Sequence, residues 1–186
     1  MKRNNVRNLL TTAVLLAVGY VLPLLTGQLP AIGSMLSLLH IPVLLCGLCC
    51  GWGWGALLGA VLPLTRSMIF GMPPLFPVAT AMAFEMAAYG ALSGALYTLL
   101  LRRGQGSRLV NLYTALILAM LGGRLVYGAA MAVCMGIAGN SYTFQAFLAG
   151  AFVQAWPGIL LHLVLIPPVT LALERARLSV HAPAAA

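Results

Sequence analysis

Apolar residues run along this chain in long blocks, and polar residues are confined to short gaps between them. A helix crosses a membrane with about 20 apolar residues at 1.5 Å rise each. The blocks predict six transmembrane helices at 8–26, 36–50, 53–66, 77–101, 109–135 and 144–173. The gaps carry turn chemistry. "GQLPAIGSM" follows the first helix, and "GWGWG" turns the chain between the second and third, both of which read as short. "SMIFGMPPLFP" cannot continue a helix, because proline fixes φ and lacks the backbone donor. "RRGQGSR" and "GIAGNSYT" are the remaining turns. Pro157, Pro167 and Pro168 predict kinks in the sixth helix.

Composition sharpens this. The chain is 62% apolar and 6% charged, where a soluble domain is about 25% charged. The fold class is therefore an all-α membrane protein. The formal charge of +8 does not imply nucleic acid, since no basic stripe with interleaved aromatics exists and the basic residues sit at the ends of apolar runs. Lys2, Arg3, Arg7, Arg102, Arg103, Arg108, Arg175 and Arg177 all fall on one side of a six-span topology. That side is the cytoplasm, and both termini lie there. The division expected is a cytoplasmic N-terminus at 1–7, a membrane domain at 8–175, and a cytoplasmic tail without fixed structure at 176–186. The first apolar run is longer than a signal peptide's core, so it reads as a retained helix. Cys46, Cys49 and Cys50 show a C-x-x-C spacing with no second ligand pair, so they read as packing residues, and no metal or other cofactor is expected.

The chain has two acidic residues. Glu174 lies beside Arg175 and Arg177, but Glu85 has apolar neighbours on both sides. A buried carboxylate needs a partner or water. Helix depth supplies candidates. Tyr89 shares a face with Glu85 four residues on. Arg124 and Tyr127 on the fifth helix, Gln154 and Trp156 on the sixth, Arg66 ending the third and His40 starting the second all fall in the outer half of the membrane. Such one-sided clustering suits a pocket open to the outside better than a channel. Glu85 is expected to pair with Arg124 or Arg66, and Arg124 lies closer to it in depth; Arg66, the cation then left over, would meet an anionic group on a ligand through its planar fork. A structural ion pair joining helices, with no ligand, is the other reading. His40 is read as a rim residue, and Trp156 as either a stacking or an interfacial side chain. His162 alone falls in the inner half, as a packing histidine.

The stretch "HIPVLLCGLCCGWGWGALLGAVLPLTRSMIFGMPPLFPVATAMAFEMAAYGALSGALY" resembles the substrate-binding (S) components of energy-coupling factor (ECF) vitamin transporters. "ALLGAVLPLTRSMIFGMPPLFP" is similar to that family's third helix and outer loop, and Ala13 and Ala17 in "AVLLA" match its A-x-x-x-A motif. The resemblance spans residues 8–175 and is most like the pantothenate-type members. It implies a bacterial cell-membrane protein that binds one vitamin from outside, beneath its outer loops. It further implies docking through Ala13 and Ala17 on a transmembrane coupling protein driven by two cytoplasmic ATPases. Riboflavin, hydroxymethylpyrimidine, a pyridoxine-like compound or a queuosine precursor are alternative ligands.

Other classes fit less well. The chain lacks G-x-x-x-x-G-K-[ST], so it hydrolyses no ATP itself. It has no aspartate and no H-E-x-x-H, and "ALSGA" has alanine where a rhomboid-like protease needs glycine. No catalytic residue is expected. A non-transport membrane assembly subunit would explain the ion pair but not the one-sided clustering.

Overall fold

The structure is a computed structural model that describes residues 2–26, 37–104, 106–150 and 155–181. It is all-helical, as expected. The long helices are α1 (Lys2–Val21), α2 (His40–Cys50), α3 (Trp52–Phe70), α4 (Thr80–Arg103), α5 (Arg108–Ile137) and α6 (Trp156–Arg175). All but α2 are long and apolar enough to cross a membrane. Every residue of α2 is buried, because it is wrapped by α1, α3, α4 and α6. Its continuous apolar sequence serves the core and not a lipid face.

Helix α4 packs most extensively on α3 and α5. Glycines allow the approach. A Cβ added to Gly90 would fall 2.1 Å from the Gly55 carbonyl oxygen, and one added to Gly59 would fall 2.2 Å from that of Met86. Backbone touches backbone there, so no side chain can be admitted.

Three boundaries differ from expectation. Helix α3 is not short. It continues through Pro63 to Phe70 and stops at Gly71, whose φ of 70° suits glycine. Arg66 therefore lies one turn inside the helix and not at its end. The proline-rich loop is compact: Ser67 Oγ donates to the Pro73 carbonyl at 2.6 Å, and Leu75–Ala79 forms a wide π turn that leads into α4. The predicted sixth helix is divided into a short helix, Phe144–Leu148, and α6. Pro157 does not kink α6 but sits in its first turn, where a missing donor costs nothing. The first outer loop, including Gly33, lies outside the described residues.

At the end that holds both termini, Glu174 is buried, not solvated beside Arg175 and Arg177. It accepts from Tyr97 Oη at 2.8 Å and pairs with Arg108 Nε at 2.9 Å. Residues 176–181 turn back onto this end. Val180 N donates to Cys49 O at 2.8 Å, Arg7 Nη1 donates to Arg177 O at 3.1 Å, and His181 meets Thr98 Oγ1 at 3.3 Å and Arg108. Burial, then the Arg108 and Arg102 charges, push the His181 imidazole below its usual range.

Candidate functional site

The site assembles around Glu85, near the start of α4. Glu85 is 1% exposed. Gly123 on α5 lies against the Tyr89 ring, and a Cβ there would come within 2.6 Å of it. This lets α5 approach α4 closely enough for the next residue, Arg124, to reach across. Arg124 Nη1 donates to Glu85 Oε1 at 3.0 Å. The guanidinium is nine-tenths buried, and its Nε has no hydrogen-bond partner among the described residues.

His40, at the start of α2, faces the other carboxylate oxygen. Its Nε2 stands 3.6 Å from Glu85 Oε2. Its Nδ1 lies 3.0 Å from the Ser37 carbonyl oxygen, which His162 Nε2 also approaches, at 3.2 Å. A carbonyl only accepts, so each ring nitrogen directed at it carries a proton. His40 thus turns a second buried nitrogen, Nε2, toward the carboxylate, without a hydrogen bond among the described residues. The His40 ring packs edge-on against Tyr89 at 5.0 Å between centroids and tilts against His162 at 6.0 Å.

Two tyrosines stand toward the outer side. Tyr127 on α5 is within electrostatic reach of Glu85, Arg124 and Tyr142. Tyr142 comes from the loop after α5. Burial, then the Glu85 carboxylate, push its phenol above the usual range. One carboxylate stands against the Arg124 and Arg66 charges, so this half of the bundle carries surplus positive charge.

Of the residues singled out in the sequence, Glu85, Tyr89, Arg124, Tyr127 and His40 are brought together. Arg66 lies toward α1 and is buried: its Nη1 is 3.5 Å from Tyr20 O, and its Cζ sits 5.1 Å from the Phe70 ring centroid. Among the described residues it pairs with no carboxylate. Trp156 opens α6 and is 58% exposed. Its expected depth assumed a helix starting at 144. Gln154 lies outside the described residues. Ala13 and Ala17 are exposed on α1, on a face shared with Leu10 and Val14, turned away from the bundle.

Sequence reasoning missed three contributors. A continuous sixth helix places His162 in the inner half. Since α6 begins at Trp156, His162 is about 9 Å along it and reaches the cluster. Tyr142 and the Ser37 carbonyl sit in loops, where periodicity carries no positional signal.

Compared with known protein families, residues 7–170 match the family described as ECF transporter, substrate-specific component. No curated protein and no solved structure matches the chain. The family match extends over nearly all of a six-helix membrane chain. The chain thus belongs to the ECF substrate-specific (S) components, multi-pass proteins of the cell membrane that bind a small substrate for a separate transport module and catalyse no reaction.

Proposed function

We propose that the substrate is an anionic vitamin or related micronutrient, with pantothenate the first candidate, bound in the Glu85–Arg124 cluster and delivered to a coupling protein with two ATPases. The observation that carries this reading is Arg124: a buried guanidinium satisfied on one side by Glu85 and, among the described residues, left without a hydrogen-bond partner at Nε. A guanidinium presents donors in a fixed fork that matches a carboxylate. An incoming carboxylate would complete it, while Glu85 holds the fork in place. Tyr89 and Tyr127 supply further hydroxyls, His40 supplies a ring face, and Arg66 adds a second cation nearer the outer rim. Ala13 and Ala17 lie on the exposed face of α1, where small side chains allow close approach of a partner helix.

The test begins with mass spectrometry of small molecules that co-purify with the chain, followed by titration calorimetry with pantothenate. Arg124→Lys keeps the charge and loses the fork. Affinity should fall by about tenfold or more, at 1.4 kcal/mol per decade. Arg66→Lys is the control for the rim cation. A co-purifying neutral ring compound such as riboflavin, bound equally by wild type and Arg124→Lys, would overturn the anionic reading and favour the alternative ligands.

A further inference from the structure

The contact between His40 and Glu85 is one proton short of a hydrogen bond. Nδ1 of His40 lies 3.0 Å from the Ser37 carbonyl oxygen. A carbonyl only accepts, so the single proton of a neutral ring sits on Nδ1. Nε2 then bears a lone pair, and it stands 3.6 Å from Glu85 Oε2. Both side chains are buried, and among the described residues Nε2 has no hydrogen-bond partner. Two acceptors facing each other away from water repel, and each loses its solvation without return. One added proton turns the same contact into a charge-assisted pair.

Neither side chain is free to turn away. The His40 ring packs against Tyr89 on α4 and His162 on α6. Turning it over would take Nδ1 from the Ser37 carbonyl, on which His162 Nε2 also rests at 3.2 Å. Glu85 is held at its other oxygen by Arg124 on α5, at 3.0 Å. Tyr89, Tyr127 and Tyr142 are within electrostatic reach of the carboxylate. On the remaining sides, Arg66 of α3 is directed toward Tyr20 and Phe70, and Tyr20 of α1 donates to Thr65. A metal ion is a poor substitute for the proton. Among the described residues no three His, Cys, Asp or Glu side chains gather around one point, and a guanidinium already stands on this carboxylate.

We infer that His40 and Glu85 bind one proton between them, and that this proton sets the charge of the substrate site. Without it, Glu85 and Arg124 cancel. With it, the cluster of His40, Glu85 and Arg124 carries one net positive charge. A bound carboxylate returns that charge to zero, and buried charges cost least when they are balanced. Substrate and proton therefore bind together, a step that rests on the anionic-substrate reading. Affinity is complete with the proton in place and falls as rising pH removes it.

The experiment uses the full chain in lipid nanodiscs, from about pH 5 to about pH 8.5, where an ordinary carboxylate ligand stays ionised. The chain has three histidines and two acidic residues, so isotope labels on ring nitrogens and carboxyl carbons give few magnetic resonance signals to assign. In the ligand-free chain one proton should appear on His40 Nε2 or on Glu85, and both signals should change in one shared step. Glu85→Gln should move the His40 step. An Nε2 without a proton beside an ionised Glu85 at every pH, or a His40 step that Glu85→Gln leaves in place, would overturn the proton site. Pantothenate is then titrated by calorimetry in buffers of different ionisation enthalpy. Binding should take up as much as about one proton per molecule, and affinity should fall by up to about tenfold per pH unit above the step. His40→Gln should flatten both responses, while His162→Gln should keep them. Buffer-independent heats with pantothenate bound at constant affinity would overturn the link between proton and substrate and leave the anionic substrate standing. A shared proton in the spectra with no pantothenate binding would uphold the proton site and overturn pantothenate as the substrate.

Discussion

Glu85 and Arg124 stand 39 positions apart in the chain and 3.0 Å apart in space. Their contact joins α4 to α5 inside the apolar bundle. Removing one member strands the other charge at a cost of about 3 to 5 kcal/mol, whereas removing both leaves no orphan. Glu85→Gln and Arg124→Gln should each lower thermal stability in detergent. The double variant should be less destabilised than the sum, with a coupling of about 1 kcal/mol or more. Additive losses would show that the two side chains act independently.

The glycine contacts of α3 and α4 predict a steep local effect. Gly90→Ala places a methyl group against the Gly55 backbone, where no side-chain rotation relieves it. Overpacking of this kind costs about 1 to 3 kcal/mol, occasionally more. At Gly136, near the end of α5, nothing lies within 4 Å of an added Cβ. Gly136→Ala should be neutral or slightly stabilising, since alanine is the better helix former by about 1 kcal/mol. Expression level and unfolding temperature of the two variants check the contrast. Equal behaviour would mean that the helices separate readily.

The exposed face of α1 predicts a separation of binding from transport. Ala13→Trp with Ala17→Trp adds bulk on a face that no other described helix covers. Ligand affinity of the purified double variant should match wild type, while uptake in cells carrying the coupling protein and ATPases should be lost. Normal uptake would move the docking surface elsewhere.

The folded-back tail predicts a pH dependence. His181 is held neutral by burial and by the Arg108 and Arg102 charges, so its folded pKa lies below the unfolded value of about 6.5. The unfolded or released tail binds the proton more tightly. Stability from this contact is therefore complete above that value and is lost as pH falls through it. Trypsin cleavage after Arg177 should speed up from about pH 7.5 to about pH 5.5, after correction for the enzyme's own pH profile. His181→Gln should flatten the response. Cleavage in wild type that follows the enzyme's own profile alone would place the tail's hold in its backbone bonds, such as Val180 to Cys49.

The number and type of helices followed from the sequence by itself, because the bilayer demands runs of about 20 apolar residues and helical backbone satisfies its own hydrogen bonds. The Glu85–Arg124 partnership was also legible. So few charges occur within the spans that depth counting left only a few candidates. What tertiary structure decided was everything that depends on where a helix stops and which way it leans. Helix α3 runs past Arg66 to Phe70, which places that cation beside Tyr20 and Phe70. Helix α6 starts at Trp156, which exposes that ring and lifts His162 toward Ser37 and His40. Glu174 reads as solvated beside two arginines, yet the chain reversal after Arg175 brings it under Tyr97 and Arg108. Hydrophobic periodicity reports which residues avoid water. It does not report helix ends set by caps and loops, or contacts between residues far apart in the chain, and those placed the side chains of this site.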